Sequence, residues 1–461
     1  MYWENEFESM SFMEAPRILQ YPGSKSLKIM SEMGELETKQ EIYKEFWKLA
    51  VAIARGATIM DVDDNIFIDC VGGICVVNMG HCNPFIVRAV REQLEKYWHT
   101  LAIPSEVRIK FLRAVHEVLP KGLRGNAKIL TTVTGADAIE AAVSLAKWVT
   151  GRRNIVAFEG AYHGIHHGAV TFTAKKTYQK YAGVCEHGVY RIPYPYPYRF
   201  PIKTSEEDIS KIVVEYLDHL LSDSHSGVYD VAAVVVEPIQ GEGGYIVPPS
   251  DFLPMLREVT EKHSVLLIVD EIQSGMGRTG KIWAIEHYDI EPDIIAISKS
   301  IANGIPLSLI AYKREFDEKL EPGFHLGTYR GNLLGMASAI ATLEYMLSRN
   351  LPERASKLGE RVFSRFMEIQ DKSRIIGDVR GKGFMVGVEL VKDKSSKTPG
   401  KELAVKLREE LAKQGILMHT CGHYDNVMRF MTPLVIPEKL LWVMMEKFEY
   451  CIRSVEETVS R

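Results

Sequence analysis

Three short segments of this 461-residue chain carry residue types that could do chemistry together. In Val265-Leu-Leu-Ile-Val-Asp270-Glu271, five apolar residues end in two carboxylates. That is the pattern of a buried strand with acid at its carboxyl edge, where open α/β sheets bind ligands. Asp293-Ile-Ile-Ala-Ile-Ser298-Lys299 repeats the pattern with a lysine at the end. A lysine at a strand end ordinarily reaches for water. In an apolar pocket its ammonium loses hydration, its pKa falls, and the free amine can attack a carbonyl carbon. The third segment, Ile129–Val133 followed by Thr134-Gly135-Ala136-Asp137, runs a strand into a helix start. Free N–H groups and the helix dipole favour an anion there, phosphate above all. An ordinary helix start capped by Thr134 or Asp137 is the plainer alternative.

One cofactor asks for all three features. Pyridoxal phosphate needs a lysine for its aldehyde, a carboxylate to keep its ring nitrogen protonated, and helix-end donors for its phosphate. Asp270 suits the second task because a dry strand end strengthens the ion pair. A nucleotide hydrolase is the rival reading, since Gly275-Met-Gly-Arg-Thr-Gly280-Lys281 nearly spells a phosphate-binding P-loop. Against it, Ile282 stands where Ser or Thr should hold magnesium, and the loop follows its acidic strand directly. His163, His166 and His167 match no strong ligand spacing, so no metal is expected.

The elements that must position these residues are legible in outline. From about 96 to 345, apolar runs (Lys128–Thr132, Asn154–Phe158, Val231–Val236, Val265–Val269, Ile294–Ile297, Ser308–Tyr312) alternate with helical segments. This predicts an α/β domain with a mostly parallel sheet covered on both faces. Residues 1–95 and 346–461 are expected to form a smaller α+β domain from both chain ends. The stretch to about residue 55 reads as mostly helical, and Ala57–Asp69 as a β run broken at Asp63-Asp64-Asn65. Lys401–Gln414 and Pro437–Val459 carry apolar stripes at helical spacing, the first stopped by Gly415. Pro193–Tyr198 alternates proline and tyrosine and is expected to be a stiff, extended surface loop.

Composition narrows the class. Lys+Arg 56 against Asp+Glu 60 leaves a net charge of −4, which argues against nucleic acid or a membrane surface as partner. The apolar runs are strand-sized, well short of a bilayer span. The acidic N-terminus lacks the basic opening of a signal peptide. Six irregularly spaced cysteines predict reduced, buried thiols in a cytoplasmic protein.

From about Ala54 to Ile436 the chain resembles the class III (ω-) aminotransferases, fold-type I pyridoxal-phosphate enzymes. Asp69-Cys-Val-Gly-Gly73-Ile74-Cys-Val-Val-Asn78-Met-Gly80-His81 is similar to a segment of 4-aminobutyrate aminotransferases. So are Thr134–Ala138, Tyr162-His163-Gly164, Glu237-Pro238-Ile-Gln-Gly-Glu242, Asp270–Gly280, Ser298-Lys299, Gly327–Asn332, Val379–Gly387 and Met428–Leu434. The resemblance implies that Lys299 is the Schiff-base lysine and the base that moves the substrate proton. It implies that Asp270 pairs with the ring nitrogen, Gln273 reaches the ring hydroxyl, Tyr162 stacks on the ring beside His163, and Gly135 and Ala136 hold the phosphate. Thr328 would reach the phosphate of the partner subunit, making the active unit a homodimer or a larger homo-oligomer. Arg429 would bind the substrate carboxylate, with Glu242 pairing to it and moving aside when that carboxylate enters.

Departures from the family pattern bear on the substrate. Ile165 replaces an arginine that would bind a distal carboxylate, which disfavours 2-oxoglutarate and aminobutyrate. Ile74 replaces an aromatic common in ornithine enzymes. Arg330 takes the place of a glycine and could contact a carboxylate or line the rim. Thr432 replaces a proline, with no expected catalytic consequence. The expected reaction is transfer of an amino group between an amine or amino acid and a 2-oxo acid, through pyridoxamine phosphate. Amino-acid racemases and epimerases of the same family are the alternative, since they share these core residues.

Overall fold

The computed structural model describes residues 3–39, 46–183 and 188–459. Its centre is a seven-stranded sheet in the order Ala127–Thr132, Ser308–Lys313, Ile294–Ile297, Leu266–Asp270, Val231–Val236, Asn154–Phe158, Val189–Ile192. Ser308–Lys313 runs antiparallel to both neighbours, while the pairs from Ile294–Ile297 outward to Val189–Ile192 are parallel. Val231–Val236, Asn154–Phe158 and Ile294–Ile297 are buried at every position. Helices cover such strands on both faces, which is why their sequence lacks a polar alternation.

The expected strands fall within a residue or so of those observed. Val189–Ile192 is an addition at the sheet edge, and its Val-Tyr-Arg-Ile alternates without a clear apolar run. Val51–Arg55, read as the end of a helical stretch, is a largely exposed strand. Thr58–Asp61 and Ile66–Asp69 flank the expected turn. These three strands form a sheet with Ile416–Leu417, which pairs parallel to Ile66–Asp69 and so joins the two ends of the chain. A further sheet holds Ile376–Lys382, Met385–Asp393, Val427–Phe430 and His419–Cys421. The long amphipathic helices Leu351–Lys372 and Glu438–Val459 belong to the same C-terminal part.

Two expectations need correcting. Pro193–Tyr198 is not a surface loop, because Tyr194 and Tyr196 are buried. Tyr194 donates to the carbonyls of Glu237 and Pro238, and Tyr196 donates to Glu389. Phenol rings bring enough apolar area to draw a proline-rich strand inward once their hydroxyls find acceptors. Among the cysteines, Cys70, Cys75, Cys421 and Cys451 are free and buried, but Cys82 is exposed; Cys185 lies outside the described residues.

Gly275–Lys281 forms a buried turn rather than a strand-to-helix phosphate loop. Arg278, fully buried, donates there to Asn78 and to the carbonyls of Phe384 and Thr432. Thr432 in turn donates to the Asp69 carbonyl at 2.8 Å, so its hydroxyl ties two segments together.

Candidate active site

Residues at the carboxyl ends of four neighbouring strands converge. Asp270 closes Leu266–Asp270 and is 3% exposed. Its Oδ2 lies 2.8 Å from His163 Nδ1, and its Oδ1 accepts from the Ile272 N–H at 2.9 Å. His163 follows Asn154–Phe158, and its buried Nε2 has no partner among the described residues. Glu237 follows Val231–Val236 and accepts from the backbone N–H groups of Tyr162 and Gly241. Burial pushes Glu237 up to about 7, with the His163 ring opposing and Asp270 adding to the shift. Burial likewise raises the Tyr162 phenol to about 12, keeping it neutral.

Lys299 stands just beyond Ile294–Ile297, opening the turn Lys299–Ala302. Its φ of +47° puts a long side chain in the left-handed region, at a cost of roughly 1–2 kcal/mol. Such strain collects at sites where a side chain must point one way. Asn303, four residues further on, accepts from the Met79 N–H and donates to the Gly80 carbonyl, which pins this turn to the 76–80 segment.

Arg429, on Val427–Phe430, is 1% exposed. One terminal nitrogen donates to Glu242 Oε1, and the other lies 3.1 Å from His419 Nδ1, which itself donates to the Thr420 carbonyl at 2.6 Å. Burial pushes Glu242 up, but Arg429 and the Lys299 ammonium outweigh it and hold the carboxyl at about 2. Burial opposes the Arg429 charge, yet Glu242 beside it raises its pKa well beyond the ordinary. Gln273 Nε2 donates to the same Glu242 oxygen at 3.4 Å, while its own Oε1 is buried without a partner among the described residues. A chain of contacts thus runs from Gln273 through Glu242 to Arg429 and His419.

Gly135 and Ala136 open the helix Gly135–Thr150, whose first N–H groups have no partner within the helix. Thr134 accepts from the Asp137 N–H at 3.2 Å, and Asp137 accepts from the Val133 N–H at 2.9 Å. Space above this start is tight: a Cβ on Gly135 would sit 3.1 Å from Ile272. Gly164, at φ +107°, packs so closely that a Cβ would lie 2.5 Å from that of Ala136. The Tyr162-His163-Gly164 turn is therefore seated directly on the helix start.

Arg330 resolves the choice between a carboxylate contact and the rim differently. It donates to Asp137 at 2.8 Å and to the His325 carbonyl, and His325 Nε2 lies 3.0 Å from the same Asp137 oxygen. This clasp holds residues 325–330 against the helix start while Thr328 points to solvent between exposed Leu326 and Tyr329.

The contacts bring Lys299, Asp270, His163, Tyr162, Gln273, Glu242 and Arg429 into one region, with Gly135 and Ala136 behind the turn. Thr328 and Ile165 are exposed in the single chain, the latter 55%. Ile74 lies on a left-handed turn, Gly72–Cys75, and packs against the apolar cluster that includes Tyr245 and Met431. His166 and His167 are exposed, and no cluster among the described residues is arranged to hold a metal ion. Glu237, His419 and the Asp137–Arg330 pair were not assigned roles from sequence. Only Glu237, one residue past an apolar strand, carried a local signal.

A carboxylate, a lysine and a helix start thus lie at the carboxyl edge of one doubly covered sheet, the architecture of the fold-type I pyridoxal-phosphate enzymes. The family Aminotransferase class-III matches residues 41–452, and the chain belongs to that family. Among its relatives is a diaminobutyrate–2-oxoglutarate aminotransferase of Rhizobium meliloti, 36% identical over 87% of each chain. An alanine/serine racemase of Pyrococcus horikoshii is 34% identical over 97% of this chain and 94% of its own. A thermostable (S)-enantioselective ω-transaminase of Thermomicrobium roseum superposes with a TM-score of 0.85 at 28% identity, covering 93% and 98%. The protein is thus an enzyme of the class III aminotransferases.

Proposed function

We propose that the chain binds pyridoxal phosphate through Lys299 and works as a homodimer on an amine or amino acid and a 2-oxo acid. The observation that carries the reading is the buried Asp270–His163 pair with Lys299 and the Arg429–Glu242 pair beside it. The residues fit the cofactor. Gln273 Oε1 and His163 Nε2 are buried polar atoms in want of partners, and the Gly135 cradle would be filled by any Cβ. When bound, the cofactor supplies an aldehyde for the amine and an electron-withdrawing ring that acidifies the substrate Cα–H.

The chain's own groups do the rest. The Lys299 amine takes the Cα proton and returns it, as a general base and then acid. Asp270, its free carboxylate lone pairs directed by His163, keeps the facing nitrogen protonated. Gln273 would accept from the ring hydroxyl through its unpartnered Oε1, and Tyr162 would cover the ring face as a neutral phenol. The first N–H groups of Gly135–Thr150 hold the phosphate. Arg429 forks onto the substrate carboxylate once Glu242 has moved away.

A dimer is supported by apolar side chains left in water, among them Trp98, Leu101, Ile103, Leu326 and Tyr329. Thr328 of one protomer would then complete the phosphate site of the other. The free, buried thiols support a reducing, cytoplasmic location; no described helix is long and apolar enough to cross a membrane.

Because Ile165 offers no charge, we propose pyruvate-like acceptors or apolar amino acids over dicarboxylates. The Rhizobium relative is named for 2-oxoglutarate, so a panel of amine donors with both acceptors is decisive. Exclusive use of 2-oxoglutarate would refute this preference. The purified protein should show a visible absorbance band that Lys299→Ala abolishes; without it the cofactor reading fails. Racemisation is the second reading, favoured by the near-complete coverage of the Pyrococcus relative. Incubating one L-amino acid without any oxo acid separates the two: net formation of the D-enantiomer marks a racemase.

A further inference from the structure

Glu242 sits on a tight turn, 241–245, in which the N–H groups of Gly244 and Tyr245 both donate to the Gly241 carbonyl. The backbone of this segment is tied to the rest of the molecule at three places. Just ahead of the turn, the Tyr194 hydroxyl donates to the carbonyls of Glu237 and Pro238, at 3.1 and 3.2 Å. The Glu242 carbonyl itself accepts from the Gly422 N–H at 2.9 Å. Arg380 Nε donates to the Gly244 carbonyl at 2.8 Å. Gly244, at φ +123°, leaves the guanidinium room to approach: a Cβ there would lie 3.0 Å from Arg380 Nη2. Arg380 is aimed by what lies behind it. Its Nη1 donates to Asp378 at 2.6 Å and to Glu389 at 2.8 Å, and its guanidinium carbon stands 4.8 Å from the centre of the Tyr196 ring. Glu389, fully buried, also accepts from the Tyr196 hydroxyl, Arg199 and Asn426. Burial pushes Glu389 up, but Arg380, the Tyr196 hydroxyl and Arg199 outweigh it and hold the carboxyl below the usual carboxylate range. The proline–tyrosine segment thus grips the stretch that carries Glu242 from both ends, through Tyr194 directly and through Tyr196, Glu389 and Arg380.

With the carbonyls of 237, 238, 242 and 244 all held, Glu242 leaves Arg429 by turning its side chain, not by carrying its backbone away. We propose that Arg380, backed by Glu389 and Tyr196, is a positioning residue for Glu242. By fixing the turn it sets how firmly Glu242 holds Arg429 when no substrate carboxylate is present. Glu242 competes with an entering carboxylate for one guanidinium, so a looser turn favours amino donors that carry a carboxylate. For a plain amine the same loosening leaves the buried Arg429 charge poorly compensated beside an apolar group. This role rests on those proposed above for Arg429 and Glu242.

Two substitutions in the holoenzyme test the idea. Arg380→Lys keeps a charge facing Asp378 and Glu389, but one ammonium cannot also hold the Gly244 carbonyl from the Nε position. Tyr196→Phe keeps the ring beside the guanidinium and removes only the bond to Glu389. One readout is the ratio of kcat/KM for L-alanine to that for 2-propylamine, with 2-oxobutyrate as the common acceptor. The other is the midpoint for propionate in a titration of the visible band. Arg380→Lys is expected to raise the ratio about five-fold, with a lower KM for L-alanine, and to tighten propionate by a similar factor. Tyr196→Phe should move both readouts the same way by about two-fold. In a Glu242→Ala background neither substitution should change either readout, whereas a general packing defect would persist there. Shifts of the same size in that background, or a ratio at or below the parent's in Arg380→Lys, overturn the inference. Should Arg380→Lys fail to fold, the Tyr196→Phe measurements in the two backgrounds decide by the same criteria. A Glu242→Ala protein with the parent's ratio would instead sink the role given to Glu242. Absence of any lysine-dependent band in the parent protein would sink the cofactor reading, and this inference with it.

Discussion

Arg330 and Asp137 meet at 2.8 Å across the start of the helix Gly135–Thr150, and His325 completes the contact on the same carboxylate oxygen. Burial pushes Asp137 up, but His325, the Val133 N–H and Arg330 outweigh it and hold the carboxyl at about 2. A folded-state value below the unfolded one stabilises above about pH 4, and that stability fades as pH falls through about 2. Arg330→Met is expected to cost on the order of 1 kcal/mol at pH 7, discounted for partial exposure. The gap should close below about pH 4 in denaturant melts. At the proposed cofactor site, release on dilution, followed by absorbance, should also quicken, because the 325–330 loop and the helix Gly135–Thr150 share this clasp.

Gly164 tests the seating of the Tyr162-His163-Gly164 turn on the helix start. Its φ of +107° and the 2.5 Å approach to Ala136 leave no room for a methyl group. Gly164→Ala is expected to cost roughly 2–3 kcal/mol, by backbone strain and overpacking together. A calorimetric Tm unchanged from the parent would show that the turn yields more easily than this geometry allows.

Removing Glu242, the carboxylate paired with Arg429, should have a ligand-dependent effect. Glu242→Ala leaves a buried guanidinium uncompensated, which costs about 3–5 kcal/mol in comparable sites. The variant is expected to melt several degrees lower in plain buffer. Millimolar propionate should restore much of the loss, since it binds only the folded state. KM for L-amino acids should fall relative to that for amines lacking a carboxylate.

Glu271 supplies a pH signature away from the chemistry. It is 1% exposed, accepts from the Ser274 hydroxyl and the Ile285 N–H, and is pushed up to about 7 by burial. A raised folded-state value means stability that is full near pH 4 and is lost as pH rises through about 7. Glu271→Gln keeps an oxygen for Ile285 and cannot ionise. Its Tm should exceed the parent's by more at pH 8 than at pH 5; a constant difference would contradict the shift.

How much of this was legible beforehand follows from how local each feature is. Val231–Val236 and Ile294–Ile297 are continuous apolar runs, so their bounds could be read to the residue. Asp270 and Lys299 were legible because each closes such a run, and Gly135 because it opens a helix. Val189–Ile192 was not, since an edge strand with an exposed Arg191 has no continuous apolar face. Tyr194 and Tyr196 misled because proline suggests a surface, while their burial depends on acceptors at Glu237, Pro238 and Glu389, far along the chain. The pair Asp137–Arg330 has no local signal and is made only when separate elements dock, whereas His419 and Arg429 face each other across two adjacent antiparallel strands.

The parallel pairing of Ile66–Asp69 with Ile416–Leu417 also sets an order of events during synthesis. The opening strands emerge from the ribosome early, yet beyond the Arg17–Ile66 bridge one edge stays open until residues 415–417 have been made. In that interval the central sheet has all its strands available and can consolidate, while the waiting edge is open to capture by another nascent molecule. Growth temperature and chaperone supply should therefore influence recovery of full-length material more than they influence the finished, closed molecule.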